Sequence, residues 1–232
     1  LDSGINMFHE IFKVNKVADK VDYTMAFDYV NFDRDPADDA GHGTEVAGVI
    51  AEASSSNVKI VPIKVLDARG DGELSDIISA VDTLKEDVEV INLSLGIAEK
   101  DLNPNSRIIA ENTFINAYNA GCIVVCATGN ENTDVSYPAS SDYTIAVGSI
   151  DKNNEISYFS NYGAKVDFVM PGEDLILPAY TTNDRYYTEQ AGTSFSTPYL
   201  AAAVAEIKSE YPNYNYTSIM SLLKQNVHDL GT

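Results

Sequence analysis

Apolar positions along this chain alternate between two periods. Val58 to Leu66 is rich in apolar residues and reads as a strand. It is followed by Leu74, Ile77, Ile78, Val81 and Leu84, which share one helical face. A strand is predicted over Val88–Leu95, a helix over Ser106–Ala120, and a further strand over Ile123–Ala127. That last run is apolar throughout, as a strand covered on both faces should be. Upstream, Val46, Val49 and Ile50 give a helical pattern just after His42. From Tyr143 to Gln190, Gly, Pro and Asn break the chain into short β segments with no helical period. Two helices close the chain, one after Gly192 through Ala201, Ala202 and Ala203, the other near Thr217 to Val227.

Strand, helix, strand, helix in this order implies right-handed crossovers. The expected fold is a three-layer α/β domain, with a mostly parallel central sheet and helices on both faces. With 232 residues, no internal repeat and no linker, 1–232 reads as a single domain. It opens on Leu1-Asp2-Ser3-Gly4, which resembles the end of a strand, and stops at Leu230-Gly231-Thr232 after a helix. We therefore expect a domain trimmed at both ends from a longer precursor.

Charge narrows the partners. Fifteen basic residues stand against 35 acidic ones, a net charge of −20, which argues against nucleic acid. The balance suits basic substrates, or serves only to keep the surface solvated. Cys122 and Cys126 lie four residues apart in a strand, roughly 13 Å and beyond disulfide reach. No apolar run approaches the length of a membrane span.

Candidate chemistry gathers where parallel strands end and helices begin, the place such folds put their functional groups. Asp2 precedes Ser3-Gly4. His42 lies in Asp39-Ala40-Gly41-His42-Gly43-Thr44, before a helix. Asn130 follows the Ile123–Ala127 strand in Ala127-Thr128-Gly129-Asn130. Ser194 opens the long helix in Gly192-Thr193-Ser194-Phe195-Ser196-Thr197-Pro198. A serine hydroxyl becomes a useful nucleophile only when a base takes its proton. Histidine has the right pKa, and an aspartate on its other nitrogen fixes the tautomer. Each residue alone has a plainer reading: Ser194 as a helix N-cap, His42 as a turn residue, Asp2 and Asn130 as turn residues beside Gly. His9-Glu10 does not complete a zinc-binding His-Glu-x-x-His, because Lys13 holds the second position, and His228 follows a terminal helix. No Gly-x-Ser-x-Gly elbow is present.

Taken together and in this order, these segments resemble the four signature blocks of the subtilisin-like serine proteases, the subtilases. Leu1-Asp2-Ser3-Gly4-Ile5 is similar to the aspartate block and Gly41 to Gly48 to the histidine block. Ala127 to Glu131 resembles the oxyanion block and Gly192 to Pro198 the serine block, in the subtilisin order of Asp, His, Ser. The resemblance implies a serine endopeptidase with Ser194 as nucleophile, His42 as base, Asp2 as its orienter and Asn130 in the oxyanion hole. It implies an extended peptide substrate lying between Ser94-Leu95-Gly96 and Asp71-Gly72, flanked by Leu66 and Leu74. Glu131, Asp134 and Ser136 would lie at the primary pocket and Asp67 beside it. That acidic lining suggests cleavage after Lys or Arg; a generally acidic surface is the plainer account.

Departures from the family pattern refine this picture. Glu45 and Phe195 resemble the branch that matures lantibiotics, a pointer to limited proteolysis. Only Ser54-Ser55-Ser56-Asn57 links the His42 helix to the next strand, where many relatives carry a longer calcium-binding loop. We expect no metal site there and no cofactor; Asp33, Asp35, Asp38 and Asp39 could bind calcium weakly. Ile97 stands where relatives often have Gly. The resemblance further implies an N-terminal prosegment, a monomer, and a secreted or cell-surface location, with an intracellular one as the alternative. Two other functions compete: a catalytically silent subtilase used as a binding or regulatory module, and an acidic cation-binding surface domain.

Overall fold

Strand Ile123–Ala127 is buried at all five positions, and its alternate side chains build two separate cores. Val124 and Cys126 face one apolar cluster, Ile123 and Val125 the other, as the two-residue period of a strand requires. The computed structural model describes residues 1–12, 20–180 and 185–230. Lys13 and the terminal Gly231 and Thr232 lie outside the described residues.

The described elements, in chain order, are β1 (Phe27–Asp28), α1 (His42–Ala53), β2 (Ile63–Lys64), α2 (Leu74–Leu84), β3 (Val90–Leu93), α3 (Pro104–Ala120), β4 (Ile123–Ala127), β5 (Ile145–Ile150), β6 (Phe168–Pro171), β7 (Leu175–Pro178), β8 (Tyr187–Gln190), α4 (Thr193–Glu210) and α5 (Tyr216–Asn226). Strands β3, β4, β5 and β6 form a parallel four-stranded sheet in sequence order. Helices α2 and α3 cover one face through Ile77, Val81, Ala110 and Phe114. Helices α4 and α5 cover the other through Leu200, Val204, Ile219 and Leu223. This is the three-layer arrangement expected from the alternating periods.

Two smaller sheets complete the fold: parallel β1–β2 and antiparallel β7–β8. Leu1 and Asp2 run between β2 and β3. The Asp2 N–H donates to Ile63 O at 3.0 Å, and the Leu1 ammonium donates to Asn92 O at 3.1 Å. Behind them a crevice of about 440 Å³ separates Val58–Ile63 from Asp87–Asn92.

The predicted strand Val58–Leu66 is realised as β2 plus a single bridge, Val21↔Ile60. Pro62 has no N–H to donate to a ladder there. Val88–Leu95 shortens to β3. The helix at Ser106 starts earlier, because Asn103 caps it by accepting from the N–H groups of Asn105 and Ser106, and Pro104 fits its first position. Within Tyr143–Gln190, β5 and β6 belong to the main parallel sheet. Cys122 and Cys126 are both free and buried.

Candidate active site

The chain segment after Asp2 meets the start of α1 at very close range. A Cβ at Gly43 would lie 2.2 Å from Gly4 O, so only glycine permits this approach. Ser3 Oγ accepts from the Gly43 N–H at 2.9 Å and donates to Asp38 at 2.8 Å. Asp38 also accepts from the N–H groups of Ala40, Gly41 and Thr44 and from the Thr44 hydroxyl. Burial disfavours its charge, but these bonds more than offset that and hold its carboxyl below the usual range. Asp39, in turn, pairs with the buried Lys64 at 2.5 Å. Lys64 also donates to Ser3 O and Leu66 O. The acidic run read as a weak cation site is therefore divided, with Asp38 and Asp39 engaged by internal donors.

This frame presents Asp2 and His42 to each other. His42 Nδ1 donates to Asp2 Oδ1 at 2.7 Å, and the same oxygen accepts from the Ser3 N–H at 2.8 Å. The imidazole remains 30% exposed, leaving Nε2 available. Burial pulls the His42 pKa down. The charge of Asp2 and its hydrogen bond, aided by Glu45 and Asp38, outweigh that and push it up to about 9. Glu45 is buried one turn along α1 and accepts from Gln190 Nε2 at 2.6 Å. Its carboxyl is raised by burial.

Ser194 is the second residue of α4, whose N-cap is Gly192. The plain N-cap reading of Ser194 therefore does not hold. Its hydroxyl donates to Ser94 O at 3.1 Å. Pro198 has no N–H for the carbonyl four residues back. Ser194 O instead accepts from Ser94 Oγ at 2.6 Å. The Phe195 ring packs on His42 with centroids 5.4 Å apart, which brings the start of α4 up to the imidazole. Asn130 Oδ1 accepts from the N–H and the hydroxyl of Thr193, at 2.9 and 3.0 Å. That fixes the amide with Nδ2 as the remaining donor. The Ser194 N–H, in the first helical turn, has no intrahelical acceptor.

The flanking residues are placed as follows. Ile97 and Tyr137 exchange backbone bonds of 2.8 and 2.9 Å, joining the Ser94–Gly96 segment to Ser136. The Ile97 departure thus lies within a paired rim. Leu66 is buried against Gly72, and Leu74 opens α2. Asp134 is exposed and bridges to Tyr162. Asp67 and Asp71 both pair with Arg69, at 3.0 and 3.5 Å. One guanidinium against two carboxylates leaves this loop net negative. Glu131 remains without a cationic partner among the described residues. Its Oε2 accepts from the N–H of Asn130 at 3.0 Å and from Asn161 Nδ2 at 2.9 Å.

Sequence reading missed the roles of Asp38, Lys64 and Asn161. An Asp a few residues before a helix is a recognisable cap signal, whereas Ser160-Asn161-Tyr162-Gly163 reads only as a turn.

An aspartate-oriented histidine packed on the residue after a helix-mouth serine, with an asparagine amide bonded to the residue before it, is the set of groups a serine hydrolase of the acyl-transfer type uses. The whole chain, residues 1–232, matches the description "Subtilase family". The protein belongs to the subtilase family of serine proteases. It is 36% identical over 198 residues to a thermophilic serine proteinase of Bacillus sp. (strain AK1), covering 81% of this chain and 47% of that protein. It is 29% identical over 243 residues to the minor extracellular protease Epr of Bacillus subtilis (strain 168), covering 100% of this chain and 35% of that protein. The chain thus spans less than half the length of both these curated relatives. Among solved structures it resembles a lanthipeptide protease with a TM-score of 0.87 at 25% identity, covering 100% of this chain and 79% of the other.

Proposed function

We propose that this chain is the catalytic domain of a processing endopeptidase that cuts extended peptides after Lys or Arg. The 2.7 Å contact between His42 Nδ1 and Asp2 Oδ1 carries the catalytic part of this reading. It leaves Nε2 as a base for the Ser194 proton once that hydroxyl turns away from Ser94 O. Oγ then attacks the peptide carbonyl, and negative charge develops on the carbonyl oxygen. Asn130 Nδ2 and the Ser194 N–H supply donors to it. His42 returns the proton to the leaving amine, and the acyl-enzyme is released when His42 activates water for the second attack. Every proton and bond in this cycle is handled by the chain's own groups, so we take it to need no cofactor.

The segments Ser94–Gly96 and Asp71–Gly72 suit an extended substrate between them, gripping its backbone and leaving selectivity to the pockets. The preference for a basic residue before the scissile bond is supported by Glu131, whose carboxylate is fixed beside Asn130. Limited proteolysis of a peptide precursor is supported by the likeness to a lanthipeptide protease. A secreted or cell-surface location is supported by the extracellular relative; among the described residues no helix is long and apolar enough to cross a membrane. An N-terminal prosegment and a monomeric state complete the proposal.

A peptide library cleaved by the protein tests it. We expect cuts after Arg and Lys, with that preference reduced in Glu131→Gln. An aromatic preference indifferent to Glu131→Gln would remove the basic-specificity reading. No cleavage of any peptide would favour the silent binding module.

A further inference from the structure

Asn161 is 1% exposed and lies in the connection between β5 and β6, yet its side chain is directed wholly at the 128–136 segment. Its Nδ2 donates to Thr128 O and to Glu131 Oε2, each at 2.9 Å, and shares a hydrogen with Ser136 Oγ at 3.3 Å. Its Oδ1 accepts from the N–H groups of Glu131 and Thr133, at 3.0 and 3.1 Å. Its own backbone N–H donates to Gly129 O at 2.9 Å. The segment so gripped contains Asn130, the oxyanion donor, together with Glu131 and Ser136.

The three polar groups converge where Gly129 has no side chain. A Cβ there would lie 2.3 Å from Asn161 Nδ2, 2.7 Å from Glu131 Oε2 and 2.8 Å from Ser136 Oγ, on a backbone with φ of +105°. We propose that Asn161 is a positioning residue for specificity: it locks the Glu131 carboxylate at the pocket rim while bracing the loop that holds Asn130. This inference rests on the reading of Glu131 as the determinant of basic specificity.

A surface glutamate free to rotate must lose side-chain entropy to meet a cation, and such pairs contribute little. Glu131 Oε2 is already held by two N–H donors, from Asn130 and Asn161, so that cost is met before substrate arrives. Oε1 carries no protein partner among the described residues and is left to accept from an incoming ammonium or guanidinium. A buried amide whose bonds are all made holds one geometry. One of the five side-chain bonds holds the carboxylate and the other four hold Thr128, Glu131, Thr133 and Ser136 on either side of Asn130, so specificity and oxyanion stabilisation share one brace.

The test compares p-nitroanilide peptides ending in Arg and in Gln, read as the ratio of their kcat/KM values. Glu131→Gln removes the charge and should lower the ratio roughly two- to fivefold. Glu131→Asp keeps the charge but draws it back by about one methylene, roughly 1.5 Å, out of reach of Asn161. It should lower the ratio nearly as much. Asn161→Ala should lower the ratio and also kcat for both peptides, because Asn130 loses its brace. A purely structural Asn161 would change kcat or stability and leave the ratio alone. If Glu131→Gln lowers the ratio while Glu131→Asp and Asn161→Ala keep the parental value, the positioning role is overturned and the basic preference stands. If Glu131→Gln itself leaves the ratio unchanged, the specificity reading fails and the inference falls with it. Should Asn161→Ala not fold, Glu131→Asp, a change at an exposed position, decides alone.

Discussion

His42 must be neutral to act as a base, and its surroundings work against that. Asp2 at 2.7 Å, with Glu45 and Asp38 nearby, favours the imidazolium over the opposing effect of burial and moves the pKa from 6.5 to about 9. Activity should therefore rise on the alkaline side. We expect kcat/KM to increase with pH through a midpoint well above 6.5, and a midpoint at or below 6.5 would contradict the assignment. The stability linkage runs the other way. With the folded value above the unfolded one, the His42–Asp2 pair stabilises the fold fully below 6.5, and this contribution is lost as pH rises toward about 9. We thus expect activity to be highest where the His42–Asp2 pair contributes least to stability. The family was legible in the sequence because Asp2, His42, Asn130 and Ser194 each stand in a local motif, and the four motifs keep a fixed order. Lys64 and Asn161 were not. Their chemistry lies in bonds to Ser3, Asp39 and the 128–136 segment, which adjacent residues in the sequence do not announce.

Helix α1 shows how one element is fixed at both ends. At its start Asp38 receives the free N–H groups that a helix N-terminus exposes. At its end the Lys20 ammonium donates to Ala51 O and Ser54 Oγ, each at 2.8 Å, and to Ser54 O. A cation there complements the partial negative charge of the C-terminus. Burial lowers the Lys20 pKa, with Glu206 opposing. The short Ser54–Asn57 link thus has a resident positive charge beside it, which disfavours a second cation there. A calcium ion present at 100 times its Kd would add about 2.7 kcal/mol, roughly 5–10 °C in Tm for a domain of this size. We expect EDTA to shift Tm by less than about 2 °C; a drop approaching the larger figure would reveal a structural cation. At this scale Ile123–Ala127 was readable to the residue, since a strand apolar at every position needs cover on both faces. Val58–Leu66 was read too long because apolar content does not reveal that Pro62 interrupts the ladder.

For the molecule as a whole, the parallel sheet gathers groups from distant parts of the chain along one edge of the fold. Asp2 runs between β2 and β3, His42 opens α1, Asn130 follows β4 and Ser194 lies in the first turn of α4. The three-layer class was legible from alternating periods, but the pairing of β5 and β6 into the main sheet was not, because Gly and Asn obscure that region. Net charge was legible as a number and misleading as a map. Arg69 pairs with both Asp67 and Asp71, so part of the acidic count is met internally, while Glu131 and Asp134 stand exposed. The central claim is that Ser194 is activated by His42. Labelling the protein with a fluorophosphonate probe, and locating the adduct by mass spectrometry, tests it most directly. The account predicts one adduct per chain on Ser194, lost in His42→Ala. A folded protein that takes no adduct, or takes it equally without His42, would contradict it.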